Sequence, residues 1–472
     1  MIFTSYTYVL FLFLVLVMYW GIRAKWRKRF LIFASYIFYC SWKWQYGFLL
    51  LGLGAFNWAY GRWVIKKSSQ RKNLWPGIVV NISILVIFKY AIFFVKNISF
   101  MNVRLGGNPF SIPNILLPLG ISFFTFQGVS YLVDVASGEQ PFIKLTDYLL
   151  FKSFWPQLIA GPIIRPREIH DQIENERKWS NENIKYGIKR ILSGFFKKVV
   201  LADNLAPLVD AVFLKSASPG FIDMAAGVLG FGLQIYFDFS AYSDIAIGSA
   251  RLFGYKFPEN FNWPYLATNP REFWSRWHMT LSRWIRDYLF TPLAVSFHGA
   301  KAYMLFAVMI SMGVCGLWHG AAWTFVIWGL WHGVLLISGE VLFPQKKKGR
   351  PIISNLSKYS GWVFTMAGVF IGWLIFRAES IGAIQRILKS VFMAPFLKPQ
   401  LLRENQVIMV AAIFLFTFLV NLLKTLGWQG KMRSSRLWLE IRPLVMPLIY
   451  AVAVVIIIIA DTGSKAFVYF QF

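Results

Sequence analysis

Residues 302–342 read AYMLFAVMISMGVCGLWHGAAWTFVIWGLWHGVLLISGEVL. Two apolar runs, Ala302–Leu317 and Ala322–Leu342, meet at a joint that carries His319. Each comes close to the ~20 residues a helix needs to cross a hydrocarbon core. The pair predicts two membrane helices joined by a tight turn. Similar runs recur at Ile2–Trp20, Gly77–Val95, Ile112–Val135, Ile191–Phe213, Ile222–Ala250, Gly361–Phe376, Val407–Leu423 and Leu444–Ala460. Phe30–Ile65 is too long for one span and reads as two short helices broken near Ser41–Gln45. The count comes to about 11–12 spans.

Composition agrees. Of 472 residues, 57% are hydrophobic and only 15% charged, against about a quarter charged in soluble domains. Disorder is excluded, and lipid is the expected solvent. Lys and Arg outnumber Asp and Glu 49 to 21, a net charge of +28. The basic residues cluster between apolar runs (Arg23–Arg29, Arg62–Lys72, Lys346–Arg350, Lys424–Arg442). The positive-inside rule accounts for them as cytoplasmic loops facing anionic lipid, so no nucleic-acid partner is invoked. The first run precedes its basic cluster, the reverse of a signal peptide, and reads as a retained helix with its N-terminus outside. Cys40 and Cys315 make neither a disulfide framework nor a zinc site. With no internal repeat and no linker, the chain reads as a single membrane domain, 1–472.

Phe151–Lys198 and Tyr255–Leu293 are too polar for plain spans and too apolar for plain loops. At membrane depth such backbone is tolerated only inside protein or along a cavity. Re-entrant or interfacial helices lining a site are expected there.

Ionisable groups within apolar runs are candidate functional residues. The chain has five His: His170, His278, His298, His319 and His332. His319 lies in CGLWHGAAW (315–323), where Gly316 and Gly320 permit close backbone approach and Trp318 and Trp323 can wall the ring from lipid. A neutral, sheltered imidazole accepts a proton from a hydroxyl; a core His bonded between helices fits the pattern equally. His332 repeats the Trp-His-Gly pattern 13 residues on. In one continuous helix that offset is about 20 Å, so the two would not share a metal, and a structural role is favoured for His332. In EFWSRWHMTLSRWIRDY (272–288), Arg276, Arg283 and Arg286 recur on roughly one helix face beside Trp274, Trp277, Trp284 and His278. The run is either an interfacial helix or the wall of a tunnel whose arginines neutralise phosphates. Asp238 and Asp244 interrupt the apolar QIYFDFSAYSD (234–244). They can pair with one of the arginines of the 272–288 run, orient His319 or His278, or carry protons, structural pairing being the simplest reading. The sequence holds no His-Glu-x-x-His metal motif, and the lack of a Walker phosphate loop and of Gly-x-Ser-x-Gly speaks against ATP-driven transport and a Ser-based acyl-enzyme.

The motifs YFDFSAYSDIAIG, FPENFNWPY, EFWSRWHMTLSRWIRDYLF and GLWHGAAWTFVIWGLWHG resemble those of membrane-bound O-acyltransferases of the bacterial alginate O-acetylation type. FWPQLIAGPIIRP and the C-terminal TGSKAFVYFQF look similar too. One departure stands: residues 291–298 read TPLAVSFH where many relatives carry a Gly-Gly-Asn-Arg-like loop. The resemblance implies an all-α polytopic fold around a central tunnel, in the bacterial cytoplasmic (inner) membrane. It implies O-acetyl transfer from cytoplasmic acetyl-CoA, with no permanently bound cofactor and no metal, to an extracytoplasmic hydroxyl. An extracytoplasmic acetyl-transfer partner and the polysaccharide synthesis machinery would be partners alongside membrane lipids. His319 takes the invariant position and acts as base; His278, in the RWH motif, orients the thioester or stabilises the oxyanion. Arg276, Arg283 and Arg286, with Trp318 and Asp238, complete the expected substrate contacts. The rival readings are D-alanyl or other acyl transfer to teichoic acid or peptidoglycan, a proton-coupled lipid or saccharide transporter, and a scaffold for a polysaccharide synthase.

Overall fold

The computed structural model describes residues 1–66, 73–139, 142–214, 217–296, 301–343, 355–393, 398–427, 436–461, 463 and 467. The described residues form helices and connecting turns, with no strand among them. This is the expected all-α polytopic fold. His298, the basic stretch Lys346–Arg350 and most of TGSKAFVYFQF lie outside the described residues.

Seven described helices are long and apolar enough to cross a membrane: Trp75–Arg104, Phe221–Leu252, Ala302–His319, Trp323–Leu342, Lys358–Arg377, Glu404–Thr425 and Ile441–Ala460. Tyr6–Gly21 and Ile121–Ala136 are shorter apolar helices. The count is lower than the sequence runs suggest, for local reasons. Pro113 and Pro118 hold residues 107–118 out of helix, so the run begun at Ile112 becomes helical only at Ile121. The run from Ile191 is part of a longer, charge-bearing series interrupted by a π-helical segment at Phe196–Ala202. The expected break near Ser41 is present: one helix ends at Cys40 and the next starts at Gln45.

Lipid as solvent is evident from where apolar side chains point. Along Ile441–Ala460, Leu444, Leu448, Ile449, Val452, Val455, Ile458 and Ile459 are all exposed. Water would penalise such a continuous apolar face; hydrocarbon does not.

The chain divides into two compact units. The first comprises Met1–Ile191 and Tyr242–Glu259. At its centre Ile121–Ala136 is buried continuously from Ile121 to Leu132. Some of the polar groups inside it pair with one another: Asn57 and Asn81 exchange amide hydrogen bonds at 3.1 and 2.7 Å, and Arg190 Nε meets Asp244 at 2.7 Å. The polar Phe151–Lys198 region begins as the short helices Leu145–Ser153, Trp155–Leu158 and Pro166–Glu174, not as a span.

The second unit comprises Leu192–Ala241 and Asn260–Phe472. Within it Lys301–His319 and Trp323–Leu342 form a hairpin, whose second arm also packs on Asn355–Arg377. The hairpin is tight because two glycines face each other. A Cβ on Gly316 would sit 2.1 Å from the Phe325 carbonyl oxygen, and one on Gly329 would sit 2.2 Å from that of Met312. From Asn260 on, the Tyr255–Leu293 region lies in this unit as a chain of short helices, Pro270–Arg276 and Met279–Ile285 among them. Asn269 caps the first by accepting the Glu272 N–H at 2.9 Å, and Pro270 fills its first turn.

Candidate active site

All seven residues singled out for the site fall in the second unit. His319 is the last residue of its helix, placed there by the turn at Gly320. It is 4% exposed, and its ring centroid lies 5.0 Å from Trp318, 4.7 Å from Trp328 and 5.5 Å from Phe376. Its Nε2 lies 3.9 Å from Cys315 Sγ, one turn earlier. The shelter foreseen from Trp318 and Trp323 is therefore supplied by Trp318, Trp328 and Phe376, while Trp323 is 54% exposed.

His278 is fully buried. It sits where Pro270–Arg276 ends and Met279–Ile285 begins, with φ 40° and ψ 53°. That left-handed conformation is rare for a non-glycine residue and costs about 1–3 kcal/mol unless the surroundings enforce it. Its ring meets Phe239 edge-on at 4.5 Å and Trp318 at 5.9 Å. Trp318 thus touches both imidazoles, and the structure brings His319, His278 and Trp318 into one buried cluster.

The break at Trp277–His278 also disposes of the single arginine face read from the spacing. Arg276 belongs to one short helix, Arg283 to the next, and Arg286 opens a π-helical segment. Arg276 is a brace: Nε and Nη2 meet Glu272 Oε1 at 3.0 and 2.7 Å, and Nη1 donates to the Asn262 carbonyl at 3.2 Å. Arg286 is mostly exposed and pairs with Asp287 at 2.6 Å. Arg283 Nε donates to the Met279 carbonyl at 3.4 Å.

Asp238 lies in a buried ion cluster. Lys198 Nζ is 2.7 Å from Asp238 Oδ1 and 2.8 Å from Asp203 Oδ1. Its partner is therefore a lysine on the π-helical segment, not an arginine of the 272–288 run. Burying these charges is tolerable because they are paired.

His332 completes the aromatic wall. One continuous helix would put it about 20 Å from His319, but the chain turns between them. Trp328 lies 4.7 Å from the His319 ring and 4.8 Å from that of His332, so the imidazoles flank one indole. Phe273 and Trp274 close the far side of His332. No group of three or more His, Cys, Asp or Glu among the described residues is placed to hold a metal. The residue that sequence reasoning missed is Asn260, within FPENFNWPY, whose side chain meets His278. A lone Asn in a motif gives no chemical signal of that contact.

The class of the protein comes from comparison with known proteins: it is a polytopic acyltransferase. The membrane-bound O-acyltransferase (MBOAT) family model matches residues 141–348. A protein of Azotobacter vinelandii named probable alginate O-acetylase AlgI is 39% identical over 400 residues, covering 83% of this chain and 78% of its own. The peptidoglycan O-acetyltransferase of Helicobacter pylori is 36% identical, with 77% and 73% covered. The teichoic acid D-alanyltransferase of Streptococcus thermophilus is 31% identical, with 55% and 68% covered. The chain belongs to the MBOAT family and is a multi-pass membrane O-acyltransferase.

Proposed function

We propose that this enzyme transfers an acetyl group from acetyl-CoA, entering from the cytoplasm, to a hydroxyl on the outer side of a bacterial cytoplasmic membrane, for O-acetylation of an exopolysaccharide such as alginate. An extracytoplasmic acetyl-transfer protein and the polysaccharide synthesis machinery are its partners. The observation that carries this reading is the pair of buried imidazoles, His319 and His278, on one tryptophan, Trp318. Relatives named for O-acetylation of alginate and of peptidoglycan support the choice of an acetyl group and a glycan.

In this reading His319 takes the proton of the acceptor hydroxyl as its oxygen attacks the thioester carbonyl. The carbon–sulfur bond breaks, and the proton passes to the departing thiolate. Both substrates react in one site, so no acyl-enzyme is needed and proximity supplies much of the rate. The aromatic walls keep water from the thioester. Arg276 and Arg286 already hold carboxylates, so a role at the coenzyme phosphates requires exchanging Glu272 or Asp287 for phosphate.

The test is coenzyme release by the purified protein with a panel of acyl thioesters and, in cells, polymer acetylation by His319→Ala. Acetyl-CoA turnover lost in that variant supports the reading. Retained turnover removes His319 from the mechanism, and preference for a D-alanyl thioester moves the enzyme to the cell-wall branch that the third relative represents.

A further inference from the structure

Two segments of the second unit run side by side at the candidate site, residues 260–262 and 276–280. Asn262 N–H donates to the Arg276 carbonyl at 2.9 Å, and Met279 N–H donates to the Asn260 carbonyl at 2.9 Å. Asn260 and His278 are both fully buried. Asn260 Oδ1 lies 3.1 Å from His278 Nδ1, 3.2 Å from the Thr280 backbone nitrogen and 2.9 Å from Thr280 Oγ1. A backbone N–H can only donate, so the carboxamide atom facing Thr280 is its oxygen. An oxygen facing His278 Nδ1 requires that nitrogen to carry the hydrogen. The remaining ring nitrogen, Nε2, then bears the lone pair. It is buried and has no hydrogen-bond partner among the described residues.

We propose that Asn260 is a positioning residue: it fixes His278 as the Nδ1–H tautomer, in its left-handed backbone conformation, so that Nε2 faces the site as a hydrogen-bond acceptor. This rests on the acyl-transfer reading above and refines it. A bare Nε2 cannot stabilise an oxyanion, which needs a donor. His278 instead accepts an N–H or O–H of a bound substrate and so orients it, while His319 remains the base on the hydroxyl. Asn260 touches no substrate; it acts through the ring. The same carboxamide oxygen ties down Thr280 and so maintains the strained backbone at His278.

The experiment is a double-mutant cycle in purified full-length protein, with kcat and KM for acetyl-CoA turnover measured separately. The variants are Asn260→Ala, Asn260→Asp, His278→Ala and Asn260→Ala/His278→Ala. Expected are a fall of about 100-fold in kcat with little change in KM for Asn260→Ala, the cost of a mispositioned group, and recovery of most of it in Asn260→Asp, which keeps the acceptor oxygen. The double variant is expected to be no slower than His278→Ala alone. Nitrogen-15 spectra of labelled histidine should show His278 Nδ1 protonated in the parent protein and a tautomer mixture in Asn260→Ala. If that variant does not fold, Asn260→Asp and the spectrum of the parent still decide. A bare Nδ1 in the parent, full activity in Asn260→Ala, or multiplicative losses in the double variant each overturn the proposal. Full activity in His278→Ala alone removes His278 from the site altogether and defeats the acyl-transfer assignment of that ring first.

Discussion

The hairpin that delivers His319 depends on helices close enough for backbone atoms to touch, and this makes Gly316 the most informative single position. Adding one methyl group there places a carbon 2.1 Å from the Phe325 carbonyl oxygen, 3.0 Å from the Phe325 carbonyl carbon and 3.1 Å from Gly329 Cα. An unstrained carbon–oxygen contact needs about 3.3 Å, so the arms must part by roughly 1 Å. All the opposing atoms are backbone, and no side chain can swing away to absorb the change. Overpacking of this kind costs about 1–3 kcal/mol. The larger effect is geometric. His319 is three residues further along the same arm, and Trp328, which it packs on, belongs to the other. A displacement of about 1 Å at a reacting group reduces turnover by about 100-fold. Gly313, one turn earlier, is the control: its added Cβ would meet only Leu330 Cδ2, at 3.5 Å, an ordinary contact. Gly313→Ala should even gain up to about 1 kcal/mol of helix propensity. The assay is thermal unfolding in detergent together with acyl-thioester turnover. Gly316→Ala should be less stable and about 100-fold slower, Gly313→Ala at least as stable as the parent and normal in turnover. Equal behaviour of the two variants would refute close backbone contact as the device that sets His319 in place.

Other substitutions probe the same unit. Lys198→Met leaves Asp203 and Asp238 buried without their shared cation, so it should lower stability by about 3–5 kcal/mol, visible as poor recovery of folded protein; normal yield and melting would show the cluster to be dispensable. Asp223 is buried and accepts backbone N–H groups of Gly220, Gln400, Leu401 and Leu402 at 2.7–3.2 Å. Asp223→Ala strands these donors and should cost at least about 3 kcal/mol, measured by thermal unfolding, with loss of the 398–402 connection detectable by proteolysis. Glu272→Gln removes the charge partner of Arg276 but keeps an acceptor for Thr268. If Arg276 is a brace, this variant should retain turnover within a few-fold and fall in melting temperature; a lowered KM for the coenzyme with unchanged melting, the mark of a guanidinium freed for phosphate, would return Arg276 to phosphate binding.

The sequence alone determined the solvent, the fold class and the family. Continuous apolar runs separated by basic clusters admit few solutions, since backbone polar groups in hydrocarbon must be satisfied within helices. The long combined motifs named the chemistry, and the break after Cys40 was legible as a polar interruption. Other features were settled by tertiary structure. Periodicity assumed one helix through residues 272–288, but the chain bends at His278, where Asn260, 18 positions earlier, meets the ring and the backbone that follows. The link between His319 and His332 likewise arose from folding the chain back at Gly320, which put both rings on Trp328. Asp238 found Lys198 and not an arginine for the same reason. Spacing fixes which residues share a helix face; which of those faces meet is decided by packing between segments remote in the chain.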